Sequence, residues 1–336
     1  MLARLGSSLP VLAAPMAGGP TTVTLVLAAA EAGSAGFLAA GYKTPDAMAA
    51  EVREVAARTS AFGVNLFAPP VVPVDPAAYV AYRQVLLPLA DRYQVDLPAE
   101  PVEDDDHWQA KVDVLVDLAP PVVSFTFGIP DSPVVDVLRR AGCLLVQTVT
   151  SAGEARQAAD AGMDGLAVQS ADAGGHWGTL TPWAPPPPMR LPDLLRSVRS
   201  AVDLPVLGAG GVGTAHDVRA ALEAGAEAVV VGTALLLADE AGTNPAHRAG
   251  LSDGRAGHVT TSAFSGRPAG ALPNGFLAAY DELGPLGYPA LHHLTSPIRR
   301  AAAAAVDPEH VNLWAGTGHA RAREAAAGEI LRDLLP

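Results

Sequence analysis

Short apolar runs alternate with alanine-rich amphipathic segments along most of the chain. The apolar runs occupy residues 11–16, 36–40, 62–67, 122–127, 143–148, 166–169, 206–208 and 228–231. Strands that are apolar at nearly every position are typical of a parallel sheet that is buried on both faces. Eight such strands in alternation with helical patterns predict an α/β protein with the (β/α)8 barrel, or TIM barrel, architecture.

The helical patterns between the strands support this architecture. They cover residues 22–32, 45–59, 131–141, 151–161, 191–202 and 215–224. A doubly wound open sheet is the alternative for alternating strands and helices. A dinucleotide-binding sheet of that kind carries a G-x-G-x-x-G turn after its first strand, and no such turn follows residues 11–16. We therefore favour the barrel.

Two segments interrupt the regular alternation. Residues 68–121 form an insertion with helical patterns at residues 77–93 and after the acidic run Glu103–Asp106. We interpret the acidic run as the N-cap and first turn of the second helix, where negative charge suits the helix dipole. A metal site is the alternative for this run. Residues 183–188 are rich in proline and predict a stiff surface loop.

The alternation ends near Ala238. Residues 238–336 mix helical and loop patterns, and no linker-like stretch precedes them. We therefore expect residues 1–237 to form the barrel and residues 238–336 to pack over its mouth as a cap on the substrate side.

Composition narrows the functional classes. The net charge is -13, and Lys43 and Lys111 are the two lysines among 22 basic residues, so neither nucleic acid nor an anionic membrane is an expected partner. Cys143 is the single cysteine, which excludes an internal disulfide and a cysteine-based metal site. The uncharged apolar runs fall short of the ~18 residues of a membrane helix. We expect a cytoplasmic protein without a metal, either a monomer or a homodimer.

The residues that follow each strand are the candidate functional residues, because the active sites of barrel enzymes lie at the carboxyl ends of their strands. Met16, Asn65, Gln147 and Gln169 stand there, and their neutral side chains suit the face and edge of a flat heterocycle. Neither lysine stands at a strand end in a position to form a Schiff base: Lys43 follows the second strand, and Lys111 lies in the insertion. These groups predict a heterocyclic cofactor rather than sugar-phosphate chemistry through a lysine.

Two glycine turns follow the seventh and eighth strands. They are Gly208–Gly211 and Gly232–Thr233, where barrels commonly bind phosphate through backbone N–H groups. Simple tight turns are the alternative. A phosphate at these turns and a flat ring across the mouth together indicate FMN as the cofactor.

His176 ends the turn Ala173-Gly174-Gly175-His176, which follows the sixth strand. Glycine lets the backbone approach a ligand closely and adopt positive φ, and histidine suits proton transfer near neutral pH. The alternative is a structural histidine in a tight turn.

The chain resembles the nitronate monooxygenase family, formerly called 2-nitropropane dioxygenases. The matching motifs run in order along nearly the whole chain, and the Gly-Gly-His turn is the most specific of them: residues 14–16, 62–65, 124–128, 173–176, 210–211, 231–233, 266–268 and 313–316. The resemblance implies a flavoprotein in which FMN is bound by Asn65, Gln169, Gly174, Gly211, Val230, Val231, Gly232 and Thr233. It also implies that His176 is the catalytic base, and that alkyl nitronates react with O2 to give a carbonyl compound and nitrite.

Four positions depart from the family pattern. Ser170 and Asp172 stand where glycine and glutamate are common, Thr126 where histidine is common, and Gly270 where arginine is common. The last two bear on the substrate more than on the cofactor. Tyr288, His292 and His293 are candidates to line the pocket from the cap, or else are surface residues.

Three alternative functions follow from the same residues. An FMN-dependent enoyl-acyl-carrier reductase would share the barrel and the Gly-Gly-His turn, and NAD(P)H would reduce it. A phosphate-binding lyase or isomerase would bind no flavin. A flavin-binding protein without catalytic activity would bind FMN, yet His176→Ala would cost it no turnover.

Overall fold

A computed structural model describes residues 1–69 and 72–336 as a closed parallel barrel with strand order β1-β2-β3-β4-β5-β6-β8-β9. The predicted fold class is confirmed, and the open-sheet alternative is excluded because β1 pairs with β9. The barrel strands are β1 Val11–Ala13, β2 Gly36–Ala39, β3 Phe62–Phe67, β4 Val122–Thr126, β5 Leu144–Val149, β6 Gly165–Gln169, β8 Val206–Ala209 and β9 Ala228–Val231.

Within residues 1–69 and 72–336, eight α-helices pack around the barrel. They are α1 Val23–Glu31, α2 Pro45–Ala56, α4 Trp108–Leu118, α5 Ser132–Arg140, α6 Ala152–Asp160, α7 Leu191–Arg199, α8 Ala215–Glu223 and α12 Ala327–Asp333. The last of these packs against α1 and β1, beside the eighth barrel strand. The chain therefore leaves the barrel after β9 and returns through α12 to close the ring of helices.

Most of these helices begin within one residue of the predicted start, at residues that cap the helix N-terminus. Thr44 caps α2 by accepting a hydrogen bond from the N–H of Ala47 (3.2 Å), and proline occupies the first turn. Asp131, Ser151 and Thr214 cap α5, α6 and α8 in the same way. Side-chain caps of this kind satisfy N–H groups that have no partner within the helix.

The acidic run does not begin a helix, so that interpretation was wrong. Helix α4 begins at Trp108, its N-cap position is His107, and no acidic residue lies in its first turn. Asp106 instead pairs with the buried ammonium of Lys111 (2.6 Å) and accepts a hydrogen bond from the N–H of Tyr42 (3.0 Å). Within residues 1–69 and 72–336, no group of three or more potential ligands is placed to hold a metal ion.

The remaining α-helices and β-strands lie in the insertion, the Gly-Gly-His turn and the tail. They are α3 Pro76–Tyr93, β7 Gly175–His176, α9 Pro245–Ser252, β10 Val259–Thr261, β11 Ala269–Ala271, α10 Gly275–Tyr280 and α11 Ala290–Ala304. Strands β10, β11 and β7 form an antiparallel sheet, which the sequence analysis did not predict in a tail of helices and loops. This sheet joins the tail directly to the Gly-Gly-His turn.

A second hydrophobic cluster joins the insertion to the tail. Tyr82 and Leu86 of α3 share it with Phe264, Leu294 and Ile298 of the tail. The hydroxyl of Tyr82 donates to the carbonyl of Ala263 (2.8 Å). The division at residues 237 and 238 stays a prediction, but the packing joins α3 to the tail and places α4 and α12 in the ring around the barrel.

Candidate active site

A cavity of about 310 Å3 lies at the carboxyl ends of the barrel strands, within the size range of small-molecule sites. All ten residues of the predicted catalytic and cofactor-binding set line it: Met16, Asn65, Gln169, Gly174, His176, Gly211, Val230, Val231, Gly232 and Thr233. The structure thus brings together side chains and backbone from both ends of the chain, although the role of each residue stays a prediction.

His176 is held in place by the tail sheet. In the pairing of β7 with β11, Ala269 lies opposite His176 and Gly270 lies opposite Gly175. The N–H of Trp177 donates to the carbonyl of Pro268 (2.8 Å). The turn reaches this sheet because Gly175 adopts φ +72°, a left-handed conformation that glycine adopts at little cost.

The imidazole of His176 has one polar contact and aromatic neighbours. Its Nε2 lies 2.8 Å from the hydroxyl of Ser265, which itself reaches the carbonyl of Arg267 at 3.3 Å. This pattern assigns the proton to Nε2 and leaves the lone pair on Nδ1. The rings of Phe127, Tyr288 and Trp314 lie 5.5, 5.6 and 5.6 Å away between centroids.

These surroundings keep His176 neutral. Burial lowers the pKa of its imidazole to about 3, and the nearby positive charges of Arg267 and Arg299 act in the same direction. A neutral imidazole with a free lone pair is able to accept a proton.

The amide of Gln169 hydrogen-bonds the backbone at the end of the Gly-Gly-His turn. Its Oε1 accepts from the N–H of Gly178 (2.7 Å), and its Nε2 donates to the carbonyl of His176 (3.3 Å). Gln169 therefore lines the cavity and also fixes the backbone on both sides of Trp177.

Asn65 is buried in the second half of β3. Its Nδ2 faces the hydroxyls of Ser124 (3.0 Å) and Thr126 (3.1 Å). Since the amide nitrogen is occupied by these neighbours, the carbonyl Oδ1 is the group that Asn65 has left for a ligand.

The two glycine turns present backbone donors at the other end of the cavity. Gly210 and Gly211 have φ of +101° and +74°. Across the described ranges, 1–69 and 72–336, the N–H groups of Gly211, Gly232 and Thr233 donate to no protein acceptor. The hydroxyl of Thr233 accepts from the N–H of Gly316 in the tail (2.9 Å). Unpaired backbone donors at such turns are suited to bind an anion.

Gln147 does not belong to the site, and that expectation was wrong. Successive residues of a strand face opposite sides of the sheet, and it is Val146 and Thr148 of β5 that line the cavity. The side chain of Gln147 is fully buried, and its Nε2 donates to the carbonyl of Thr148 (3.1 Å).

The candidate residues of the tail divide into two groups. Tyr288 contacts His176 edge-on, and the ring of His292 stacks on Tyr42 at 4.1 Å and lines the cavity. His293 lies outside the cavity, where its Nε2 is 2.8 Å from Asp104 Oδ2. Tyr288 and His292 are therefore placed to act at the site, whereas His293 is not.

A second, outer cavity of about 530 Å3 adjoins the first. Both are lined by Tyr42, Phe67, His292 and Arg299, which separate them. The hydroxyl of Tyr288 donates to that of Tyr42 (3.3 Å) across this boundary. The two cavities therefore adjoin at these four residues.

Sequence reasoning missed Tyr42, Arg299 and Trp314. Tyr42 follows β2 and has φ +67°, a conformation that the sequence did not signal at a non-glycine residue. Arg299 and Trp314 reach the cavity through long-range packing of the tail. Of these three residues, Trp314 alone could have been found from the sequence, because it stands in a motif shared with the family.

Enclosed cavities at the carboxyl ends of the strands are where (β/α)8 enzymes carry out their reactions, and this protein is an enzyme of that class. It belongs to the nitronate monooxygenase family, whose model matches residues 2–336, and is therefore an oxidoreductase. In the parts that the structure describes, no helix has both the length and the apolar character needed to cross a membrane.

Individual relatives agree with this family assignment. The chain is 32% identical over 330 residues to a probable nitronate monooxygenase of Bacillus subtilis, covering 97% of this chain and 94% of that one. It is 42% identical to the solved nitroalkane oxidase from Streptomyces ansochromogenes, with a TM-score of 0.94 over 99% of this chain and 96% of that one. FabK from Thermotoga maritima shares the fold, with a TM-score of 0.76 and 24% identity over 99% and 93% of the chains.

Proposed function

We propose that the protein is an FMN-dependent enzyme that oxidises alkyl nitronates, and neutral nitroalkanes, with O2 to a carbonyl compound and nitrite. The observation that carries the proposal is the position of His176 on its Gly-Gly turn, facing the same cavity as the paired glycine turns and the amide of Asn65. Atoms and charge balance when one O2 converts two nitronates into two carbonyl compounds and two nitrites. The family is flavin-dependent in general and acts on a small molecule and O2.

The residues that line the cavity are chemically suited to a flavin mononucleotide. The unpaired N–H groups of Gly211, Gly232 and Thr233 would hold the phosphate. A Cβ at Gly210 would lie 2.5 Å from Ser170 Oγ, so the turn has no room for a side chain on that face.

The ring end of the cavity is lined by neutral groups. Met16, Gly174, Val230 and Val231 would contact the flavin, and the Oδ1 of Asn65 and the amide of Gln169 would meet its polar edge. When bound, FMN supplies the electron acceptor of the oxidation.

His176 would act on substrates that still carry a proton. The Nδ1 atom of its neutral imidazole would accept the proton from the carbon next to the nitro group, while Nε2 keeps its contact with Ser265. The nitronate that forms is an anion, and its charge favours the imidazolium by raising the low pKa of His176. A nitronate supplied as the anion needs no base, so His176 would position it by hydrogen bonding.

We propose that the tail, together with α3, forms a cap that keeps water from the reaction. Trp314 and His292 from the tail line the cavity directly. Exclusion of water strengthens electrostatic interactions inside a site.

The visible spectrum of the purified protein tests the cofactor and the reaction class together. The protein is mixed without oxygen with propionate 3-nitronate and, separately, with NADPH. Loss of the oxidised flavin bands with the nitronate alone supports the proposal. Loss with NADPH alone would instead indicate an enoyl-reductase-like enzyme, and a protein that takes up no FMN would contradict the flavin assignment.

His176→Ala tests the base. Removal of a general base typically slows the assisted step by roughly 10²–10⁴-fold. We expect that loss in kcat/KM for a neutral nitroalkane, a much smaller loss for its nitronate, and unchanged FMN content. His216→Ala, at an exposed position on α8, is the control and should leave both rates unchanged. Equal losses on both substrates would contradict the assignment.

A further inference from the structure

Arg299 of α11 lies at the boundary of the inner and outer cavities and lines both. Its guanidinium is held by neutral groups of the tail. Nε donates to the hydroxyl of Thr295 (3.0 Å), Nη1 to Oδ1 of Asn312 (3.2 Å), and Nη2 to the carbonyl of His292 (2.8 Å). Its Nη2 also lies 3.3 Å from Nδ1 of His292, which must accept because a guanidinium has no lone pair to offer.

These contacts leave the positive charge of Arg299 uncompensated. Within residues 1–69 and 72–336 Arg299 forms no ion pair; Asp104 and Asp106, which line the outer cavity with it, instead contact His293 and Lys111. Arg299 is half-buried, and a charge that is partly removed from water without a counter-ion is costly. One of the two hydrogens on Nη1 also has no protein acceptor among residues 1–69 and 72–336.

No other group that lines the inner cavity is expected to be positively charged at neutral pH. Burial lowers the pKa of His176 to about 3 and that of His247 to about 4, and it holds the pKa of His292 well below its usual value. Asp172 lines the same cavity beside Gly211, at the end with the glycine turns. The positive charge available to a substrate is therefore that of Arg299.

Arg267 does not serve the same purpose. It is buried behind Phe127, with its guanidinium carbon 4.0 Å from the centroid of that ring, and it donates to the carbonyl of Thr179. It does not line the inner cavity.

We propose that Arg299 is the specificity-determining residue that binds the negatively charged nitro-group oxygens of the substrate. This inference rests on the proposed function and adds the group that recognises the charge. Arg299 binds a nitronate in the ground state, because the nitronate arrives as an anion. A neutral nitroalkane gains its negative charge as the proton leaves, so Arg299 stabilises that substrate in the transition state.

Because Arg299 acts on the ground state of one substrate and on the transition state of the other, Arg299→Gln should change KM for the nitronate and kcat for the neutral nitroalkane. For the nitronate, KM should rise roughly 10–100-fold with little change in kcat, because a charge-assisted hydrogen bond is lost from the bound state. For the neutral nitroalkane, KM should stay nearly constant and kcat should fall by a similar factor. A merely structural role would change both constants in the same way for both substrates.

Nitrite binding to the FMN-loaded protein tests the charge recognition without turnover. Nitrite is an anion with two oxygens on nitrogen, and its dissociation constant is measured from the change in the flavin spectrum. Arg299→Gln should weaken nitrite binding by roughly 10–100-fold. Arg299→Lys keeps the charge without the planar fork and should weaken it by about 3–10-fold.

Arg300→Gln is the matched control. Arg300 is the next residue of the same helix, and it is exposed and lines only the outer cavity. Its removal deletes one positive charge and should change nitrite binding by less than about twofold, as expected for a screened surface charge.

Several outcomes would overturn the inference. They are nitrite binding by Arg299→Gln that matches the wild type, equal effects of the Arg299 and Arg300 variants, or no nitrite binding by the wild type. If Arg299→Gln loses FMN or unfolds, the Arg299→Lys variant decides: nitrite binding by that variant equal to the wild type would overturn the inference. Arg299-dependent nitrite binding without nitronate oxidation would uphold the anion site and contradict the proposed function. Oxidation that is insensitive to Arg299 would contradict this inference alone.

Discussion

The geometry of His176 depends on one residue near it in the chain and on one far from it. Ser265, which is 89 positions away, contacts the imidazole, and Gln169 fixes the carbonyl of His176. Ser265 is almost fully buried, so its hydroxyl is shielded from bulk water. We therefore expect Ser265 to orient the imidazole of His176, the base of the proposed function, rather than to contact the substrate.

Ser265→Ala should reduce the rate of proton abstraction. The change leaves Nε2–H of His176 without its acceptor, so the ring loses the contact that fixes its tautomer and orientation. We expect kcat for a neutral nitroalkane to fall about tenfold, as for other partners that orient a reactive histidine. Rates with the nitronate and FMN content should change little.

Ser265→Thr supplies the control for this variant, because it keeps a hydroxyl at the same position. It should recover most of the lost rate. If the alanine variant slows both substrates equally, the serine supports the fold and does not orient the base.

The glycines of the site were easier to predict from the sequence than its asparagine and glutamine side chains. A Cβ at Gly174 would lie 2.5 Å from the carbonyl carbon of Ala315, so the requirement for glycine is steric and the family motif reflects it. Gln147 carries the same kind of amide as Gln169, yet it faces away from the cavity. A shift of one residue along a strand reverses the side-chain direction, and composition alone does not resolve that shift.

At the scale of elements, α4 is tied to the mouth of the barrel by a buried ion pair. Lys111 Nζ donates to the carbonyl of Ala40 (2.9 Å) and pairs with Asp106, which in turn accepts from the N–H of Tyr42. Burial lowers the pKa of Lys111 and raises that of Asp106, so desolvation outweighs the attraction between the two charges. The pair holds the Tyr42 segment beside the cavity.

Lys111→Met should destabilise the protein because it leaves Asp106 without its partner in a largely buried position. Loss of one partner of a buried pair costs about 3–5 kcal/mol. Chemical unfolding of the single variant and of Lys111→Met/Asp106→Asn measures this effect. The double variant should recover a large part of the loss. A single variant as stable as the wild type would show that the ion pair contributes no net stability.

The elements also show what a sequence alone conveys about a fold. All eight barrel strands were predicted, because each falls in an apolar run of the regular alternation between strands and helices. The strands β10 and β11 were not predicted, because each has three residues and lies in the tail, where the alternation has ended. β11 pairs with β7 over a long distance along the chain, and β10 pairs with β11. The acidic run was misinterpreted, because its partner Lys111 is reached only through the fold.

At the scale of the molecule, burial of neutral histidines links stability to pH. The pKa of His176 falls to about 3 and that of His247 to about 4, from 6.5, and burial is the main cause at both. Between the lowered values and 6.5 the unfolded chain binds protons that the folded protein does not. This contribution to stability is therefore fully present above about pH 6.5 and is lost as the pH falls towards 4.

The free energy of unfolding should decrease as the pH is lowered from about 7 to 5. Each such histidine contributes up to ~1.4 kcal/mol per pH unit within its window. Urea unfolding at constant ionic strength measures the slope. His247→Gln should have a shallower slope than the wild type in this range. An identical slope would show that His247 titrates in the folded protein much as it does in the unfolded chain.

The path of the chain around the cap has a mechanical consequence. The cap begins after β9 and ends where α12 rejoins the helices beside α1, so it is tethered to the barrel at both ends. The insertion helix α3, itself tethered at both ends, packs on α11 and ties the cap to the barrel a third time. A domain attached in this way has no single hinge about which it swings open as a lid. Exchange of substrate and product is therefore expected to require rotation of side chains such as Tyr42 and His292, with the cap in place.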